Sequence, residues 1–343
     1  MASKQRETSG HGFSVVRSAA KKAKVDEQED QQVSTTDVAL DSLIDLSDVE
    51  NQEQLQLSSV DYHLVVTRPG ATTKVEFMEV EFYLQKEGFH EDPFTHGSEE
   101  QKVAGRWYFH RAPRRSEDSN RSLTSTTTWR GGSRKGLDLT IGSSDSEPAP
   151  TSLLRGGVLL RSIRVLGTKP KVVSGPSLLV DEVLSLSGAK EIGDLYNDRW
   201  NGDTSAFPSK DSGASPPSYS MYLIRKDAGS TKGASAIYNS PRIGLDLSHP
   251  GTTGPSIRPL HSRIRFLPRS YRYFREPHLL TANGRIQTFV GVLQHCATQL
   301  TESKRKSAKG EASSSKSPEE DFNDALKNPR LLSDICKTMG LKD

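Results

Sequence analysis

Two hydrophobic periods divide this chain, and long polar stretches separate them. Tyr62-His63-Leu64-Val65-Val66 and the run from Lys74 to Tyr83 carry the period of two expected of strands. In the second run, strict alternation puts Val75, Phe77, Glu79, Glu81 and Tyr83 on one face. Arg106 to His110 and Gly136 to Ile141 read as a strand pair, and Val158 to Val165 as a buried strand. Later strands are expected at Tyr222-Leu223-Ile224, Arg242 to Leu245 and Arg263 to Leu267. Helical spacing follows Ser174, with Leu178, Leu179, Val183 and Leu184 as the apolar stripe. Ser174 is placed to cap that helix and Pro176 falls in its first turn, where its missing N–H costs nothing. A further helix is expected near Ile286 to Leu300 and a short one over roughly 320–338. Strands and helices in this mixture predict a mixed α/β domain of the α+β kind.

The polar stretches mark the boundaries. Residues 1–55 are too poor in apolar groups to offset the entropy of ordering and are expected to be a disordered tail. A single domain is expected over 56–300, with flexible insertions at 112–130 and 199–220, a disordered linker at 301–319 and a terminal helical segment at 320–343. Apolar residues make up 33% of the 343-residue chain, below the share usual for a fully packed protein, which agrees with so much unpacked length.

Charge and cysteine content narrow the class. The net charge of +3 arises from 46 basic and 43 acidic residues and says little, because the charges are unevenly placed. Lys21-Lys22-Ala23-Lys24-Val25 is a basic cluster suited to nuclear import, so a nuclear location is expected. Two cysteines make no disulfide framework and fit a reducing compartment. There is no CxxC or HExxH spacing, so no metal site is expected. No apolar run approaches the roughly 20 residues of a membrane helix, and no membrane partner is expected.

Two groups of residues could carry chemistry. Glu81, at a strand end among Phe77, Phe82 and Tyr83, is a carboxylate placed for partial desolvation, a setting that suits a general base. A solvated strand-face glutamate is the ordinary reading of the same segment. From Arg242 to Arg275, the arginines at 258, 263, 265, 269 and 272 interleave with Phe266, Tyr271, Tyr273 and Phe274. That mixture suits a surface that tracks a nucleic-acid backbone, extended by Arg130, Arg134 and Lys135.

Four short segments then occur in a telling order: Glu81-Phe82-Tyr83, Gly156 to Ile163, Ser174-Gly175-Pro176-Ser177 and Pro241 to Leu245. In this order they resemble the alkyladenine (3-methyladenine) DNA glycosylases, over about residues 60–275. The resemblance implies a curved, largely antiparallel sheet with flanking helices, like the C-terminal domain of methionyl-tRNA formyltransferase. It implies that Glu81 activates a water to hydrolyse the N-glycosidic bond of an alkylated or deaminated purine flipped from double-stranded DNA, the first step of base excision repair. Tyr83 would stack on the base, His96 would help bind it, and His110 would form the opposite wall, where the family has tyrosine. Asp138 would help select the base, where the family has asparagine. Arg161 would lie near the target nucleotide, Ser174 and Gly175 would open a phosphate-binding helix, and Arg242 and Arg265 would contact DNA. Trp129, beside Arg130 near the tip of the 106–140 hairpin, would wedge the duplex.

No lysine neighbours Glu81 in sequence, which favours a monofunctional hydrolase over a lyase. No cofactor is expected, and the protein should act as a monomer. The alternative is a non-catalytic nucleic-acid-binding module on the same fold.

Overall fold

A computed structural model describes residues 62–112, 128–143, 153–207, 217–226, 235–247, 261–307 and 330–340, with isolated positions between 320 and 328. They belong to one compact unit, Thr35–Asp343; a second, Met1–Ser34, lies outside the described residues. So do the tail at 1–55 with its basic cluster, most of the loop after Arg111, the 208–216 segment and Arg258.

The strands form one curved antiparallel sheet of ten strands. These are β1 (Tyr62–Arg68), β2 (Ala71–Lys86), β3 (His90–Glu91), β4 (Trp107–Phe109), β5 (Leu137–Thr140), β6 (Leu154–Val165), β7 (Lys171–Ser174), β8 (Ser220–Arg225), β9 (Ile237–Ser240) and β10 (Arg272–Arg275). Helices α1 (Pro176–Ser187), α2 (Ser262–Phe266), α3 (Arg285–Ser307) and α4 (Leu331–Thr338) flank it. The main path runs β4-β5-β6-β2-β1-β8, and β10 with β9 also joins at β2. Long β2 makes this fork possible. It pairs with β6 along one edge, while its other edge is shared between β1, up to Glu76, and β10, from Glu79 onward.

At that handover β2 changes phase. Phe77 stands opposite Ile163, Glu79 opposite Ser162 and Val80 opposite Leu160, so Met78 and Arg161 are extra residues in paired bulges. Val75, Val80, Phe82 and Leu84 belong to the main apolar core with Ile163, Leu160 and Val158, and Phe77 packs against it. Met78 belongs instead to a second core, with Phe274, Val292, Leu331, Ile335 and Met339. Strict alternation from Val75 therefore does not hold through Glu81. Continued without the bulge, it would drive two carboxylates into the main core, where nothing compensates their lost hydration.

On the opposite face the carboxylates meet their partners. Glu79, 2% exposed, accepts hydrogen bonds from Arg161 Nε (3.0 Å), Arg272 Nε (2.7 Å) and Ser162 Oγ (2.5 Å). Arg272 also donates to Ser240 Oγ and Thr288 Oγ1, both at 3.0 Å. This knot ties β2, β6, the end of β9, β10 and α3 together. Burial pushes the Glu79 carboxyl up, but Arg272 and Arg161 outweigh it and hold the group below the usual range.

Several sequence expectations change. Arg242 to Leu245 is irregular chain after β9, and Arg263 to Leu267 is mostly the short helix α2; the closing strand is β10. Helix α1 is capped by Gly175 at φ 117°, with no side-chain cap, and Ser174 ends β7. Leu178 is exposed, and Val180 takes its place in the core beside Leu179, Val183 and Leu184. Residues 200–207 are packed rather than a free insertion: Trp200, Ala206 and Phe207 are buried in the main core. Helix α3 runs on through Ser307, into the expected linker, and α4 is shorter than the helix expected over 320–338. No helix among the described residues is long and apolar enough to cross a membrane.

Glu79→Ala leaves Arg272 buried without its acidic partner and should destabilise the fold by about 3–5 kcal/mol. Lys74→Ala, at an exposed position of the same strand, should change stability by no more than about 0.5 kcal/mol. Urea unfolding midpoints of the two variants check both values.

Candidate functional site

Beyond the knot, β2 carries Glu81 and Tyr83 toward a hollow that six other segments complete. The loop after β3 brings Asp92, Phe94 and His96; a 3₁₀ turn, Glu99–Lys102, brings Gln101; His110 follows β4; Asp138 lies on β5. The chain after β9 adds Arg242, Ile243 and Leu245. Gly156 and Gly157 on β6 allow the close approach. A Cβ at Gly157 would come within 2.8 Å of Asp138 Oδ2 and of Gln101 Nε2, and one at Gly156 within 2.4 Å of the Tyr83 carbonyl oxygen.

The hollow has a volume of about 100 Å³ and is lined by Tyr83, Phe94, His96, Gln101, His110, Asp138, Leu159 and Leu245. It is smaller than a typical small-molecule site, and its lining mixes apolar walls with convergent polar groups. Tyr83, His96, His110 and Asp138, expected from the sequence to frame a base, all line it. The rings of His96 and His110 meet edge to face, with centroids 4.3 Å apart. Asp138 accepts hydrogen bonds from His110 Nε2 (2.7 Å) and from Gln101 Nε2 (3.0 Å).

Glu81 lies behind this hollow and does not line it. It is 0% exposed, against the expectation of a carboxylate in direct reach of water. Its Oε1 accepts the Ile243 N–H at 2.7 Å; its Oε2 accepts the Tyr83 hydroxyl at 2.9 Å and Arg161 Nη1 at 3.4 Å. Tyr83 therefore joins carboxylate and hollow. Burial, and then the charge of Glu81, push the Tyr83 hydroxyl well above its usual range, so it stays a donor. Arg242, 2% exposed, holds Asp92 through two hydrogen bonds, donates to the Phe82 carbonyl at 2.9 Å and lies over the Tyr83 ring at 4.4 Å. This clamp fixes the loop carrying Phe94 and His96 against the end of β2.

The expected DNA contacts divide. Arg161 and Arg242 are buried in ion pairs with glutamate and aspartate, so neither presents its guanidinium to a ligand, and Arg272 is likewise internal. Turning any of them outward would leave its carboxylate partner buried and uncompensated. The Ser174 hydroxyl bonds Ser162 Oγ and accepts the Thr281 N–H, and the Gly175 N–H donates to the Arg161 carbonyl, so neither group is turned toward a phosphate. Trp129 does not stand at a loop tip. It is half-buried, bridged to Arg111 and packed 5.5 Å from the Tyr196 ring, because its indole has an apolar surface to cover. Arg130 donates from Nε to the Arg111 carbonyl at 2.9 Å. Arg265 is exposed on α2.

Gln101 carried no sequence signal, since it sits in a polar stretch without periodicity. Arg263 lies 4.8 Å above the ring of Phe94, which lines the hollow, and only the helical turn of α2 places it there. His96, His110 and Asp138 offer one nitrogen or oxygen each within 4.8 Å of one another. A tetrahedral zinc ion with bonds near 2.1 Å would set its ligands about 3.4 Å apart. The 2.7 Å separation of His110 and Asp138 is instead that of a hydrogen bond.

Among models of known protein families, none matches this chain. The chain is similar to "Uncharacterized protein L759" of Acanthamoeba polyphaga mimivirus, with 28% identity over 179 residues, which span 50% of this chain and 69% of that protein. That name assigns no activity.

Burial, and next the neighbouring His110, lower the His96 pKa from 6.5 to about 4. Folded His96 is therefore neutral where the unfolded chain would bind a proton. Its contribution to stability is complete above about pH 6.5 and is lost as pH falls toward about 4. His96→Phe should flatten the stability curve across that window relative to the unaltered protein, as followed by thermal unfolding at stepped pH.

Proposed function

We propose that this chain is a monofunctional DNA glycosylase that hydrolyses the N-glycosidic bond of an alkylated or deaminated purine extruded from double-stranded DNA. One observation carries the reading. Four residues far apart in sequence, Tyr83, His96, His110 and Asp138, line a single hollow, and Tyr83 links it directly to the buried Glu81. The base stacks on the face of Tyr83 that Arg242 does not cover. Neutral His96 and the His110–Asp138 pair hold its edges, and the cost of extrusion is least for a damaged pair.

Breaking the glycosidic bond builds positive charge on the sugar, which the Glu81 carboxylate stabilises through a low-dielectric interior. As water adds to the sugar carbon, its proton passes to the Tyr83 oxygen while the Tyr83 proton passes to Glu81 Oε2. The leaving purine takes the bond's electron pair. Arg263 and Arg265 serve the DNA backbone outside the hollow, so affinity falls with salt. The abasic product feeds base excision repair, and the basic cluster at Lys21 to Lys24 supports a nuclear site of action.

The complete burial of Glu81 favours a second reading, a nucleic-acid-binding module without catalysis. Excision assays separate them. Glu81→Gln should cut the release of hypoxanthine or 3-methyladenine from duplex DNA by about 10²–10⁴-fold while leaving DNA affinity intact. Tyr83→Phe, which keeps the wall and removes the hydroxyl, should slow release in the same direction. A protein with no excision to lose, but with salt-sensitive DNA binding, supports the second reading.

A further inference from the structure

We propose that Gln101 reads an amino group on the bound base, so that the hollow takes amine-bearing, adenine-type purines in preference to oxo-purines such as hypoxanthine. This rests on the glycosylase reading and narrows its substrate class.

The orientation of the Gln101 amide is set by its neighbour. Its Nε2 donates to Asp138 Oδ2 at 3.0 Å; the flipped amide would set a carbonyl oxygen against a carboxylate oxygen, two acceptors face to face. Asp138 in turn is held on its other oxygen by His110 at 2.7 Å, so the arrangement is locked from both sides. The consequence falls on Gln101 Oε1. Gln101 is 1% exposed and lines the hollow, yet this oxygen has no hydrogen-bond partner among the described residues. Buried polar atoms in folded proteins are nearly always paired, so an orphan acceptor beside a hollow calls for a donor from a ligand.

The remaining polar groups point the same way. Both Asp138 oxygens keep a second lone pair, and the carboxylate carries negative charge. His96, neutral in the fold, offers one nitrogen as an acceptor. Acceptors therefore outnumber donors around the hollow. An exocyclic amine supplies two N–H groups to such a site, and a positively charged alkylated ring adds attraction to Asp138. A carbonyl at the same ring position would face Gln101 Oε1 acceptor to acceptor and leave it unpaired. Sites built around a hydrogen bond reject analogues that lack it.

The test compares free 3-methyladenine with free 3-methylhypoxanthine by titration calorimetry, and excision of 3-methyladenine with excision of hypoxanthine from duplexes, for the unaltered protein and Gln101→Met. The unaltered protein should bind the amine-bearing base at least about 10-fold more tightly, and Gln101→Met should bring the two within about 3-fold. Equal binding by the unaltered protein, no measurable binding of either base, or an unchanged ratio in a folded Gln101→Met overturns the proposal; the last means that Oε1 holds only a water. Should Gln101→Met fail to fold, the ratio for the unaltered protein decides. An amine preference without excision of any lesion keeps the selectivity and sinks the glycosylase reading. Excision of both lesions with equal binding of both bases does the reverse.

Discussion

Everything around the hollow depends on one buried carboxylate being fully paired. Glu79 receives two guanidinium groups and a hydroxyl in the interior, and those donors come from β6 and β10. A buried charge that loses its partner is far more costly than a missing apolar contact. The strands that supply the partners are thereby held in one register. The paired bulges of β2 and β6 are the backbone's accommodation of this requirement, since they bring Met78 and Glu79, and Arg161 and Ser162, to the same side. Two residues further along, Glu81 inherits the orientation, and Tyr83 after it opens onto the hollow.

The same economy of charge shapes the rest of the site. Arginines that seemed suited to a nucleic-acid backbone are spent inside: Arg161 between two glutamates, Arg272 on Glu79, Arg242 on Asp92. They act on the site by holding its walls. Arg242 is the plainest case, because it ties the Asp92 loop, the Phe82 carbonyl and the Tyr83 ring in one contact set. Among the described residues, cations left for an external partner include those on α2, with Arg263 over Phe94 and Arg265 exposed, and the exposed Arg134. Charge held inside confers rigidity, whereas charge outside confers salt-dependent attraction.

Much of the architecture was legible before any coordinates. Strands at β1, β4, β5, β6 and β8 follow from period-two runs with apolar partners on known sides. The resemblance carried by the ordered series of short segments implied Tyr83, His96, His110 and Asp138 as one group. What misled was local pattern read without its context. Ser174 stands where a cap belongs, but its hydroxyl finds Ser162 and Thr281 instead. Arg263 to Leu267 alternates like a strand, yet it forms the short helix α2, capped by the His261 side chain. Gln101 carried no signal, because its importance comes from an amide oriented by a residue 37 positions away.

By itself the sequence determined the mixed class of the fold and most of its strands, because periodicity and residue type act locally; Tyr83, His96, His110 and Asp138 were named by resemblance, not by period. Tertiary structure alone decided which way the carboxylates face, which arginines are inside and which acceptor is left without a donor. Those outcomes depend on pairing across strands and on the cost of burying charge, and neither is written in any one segment.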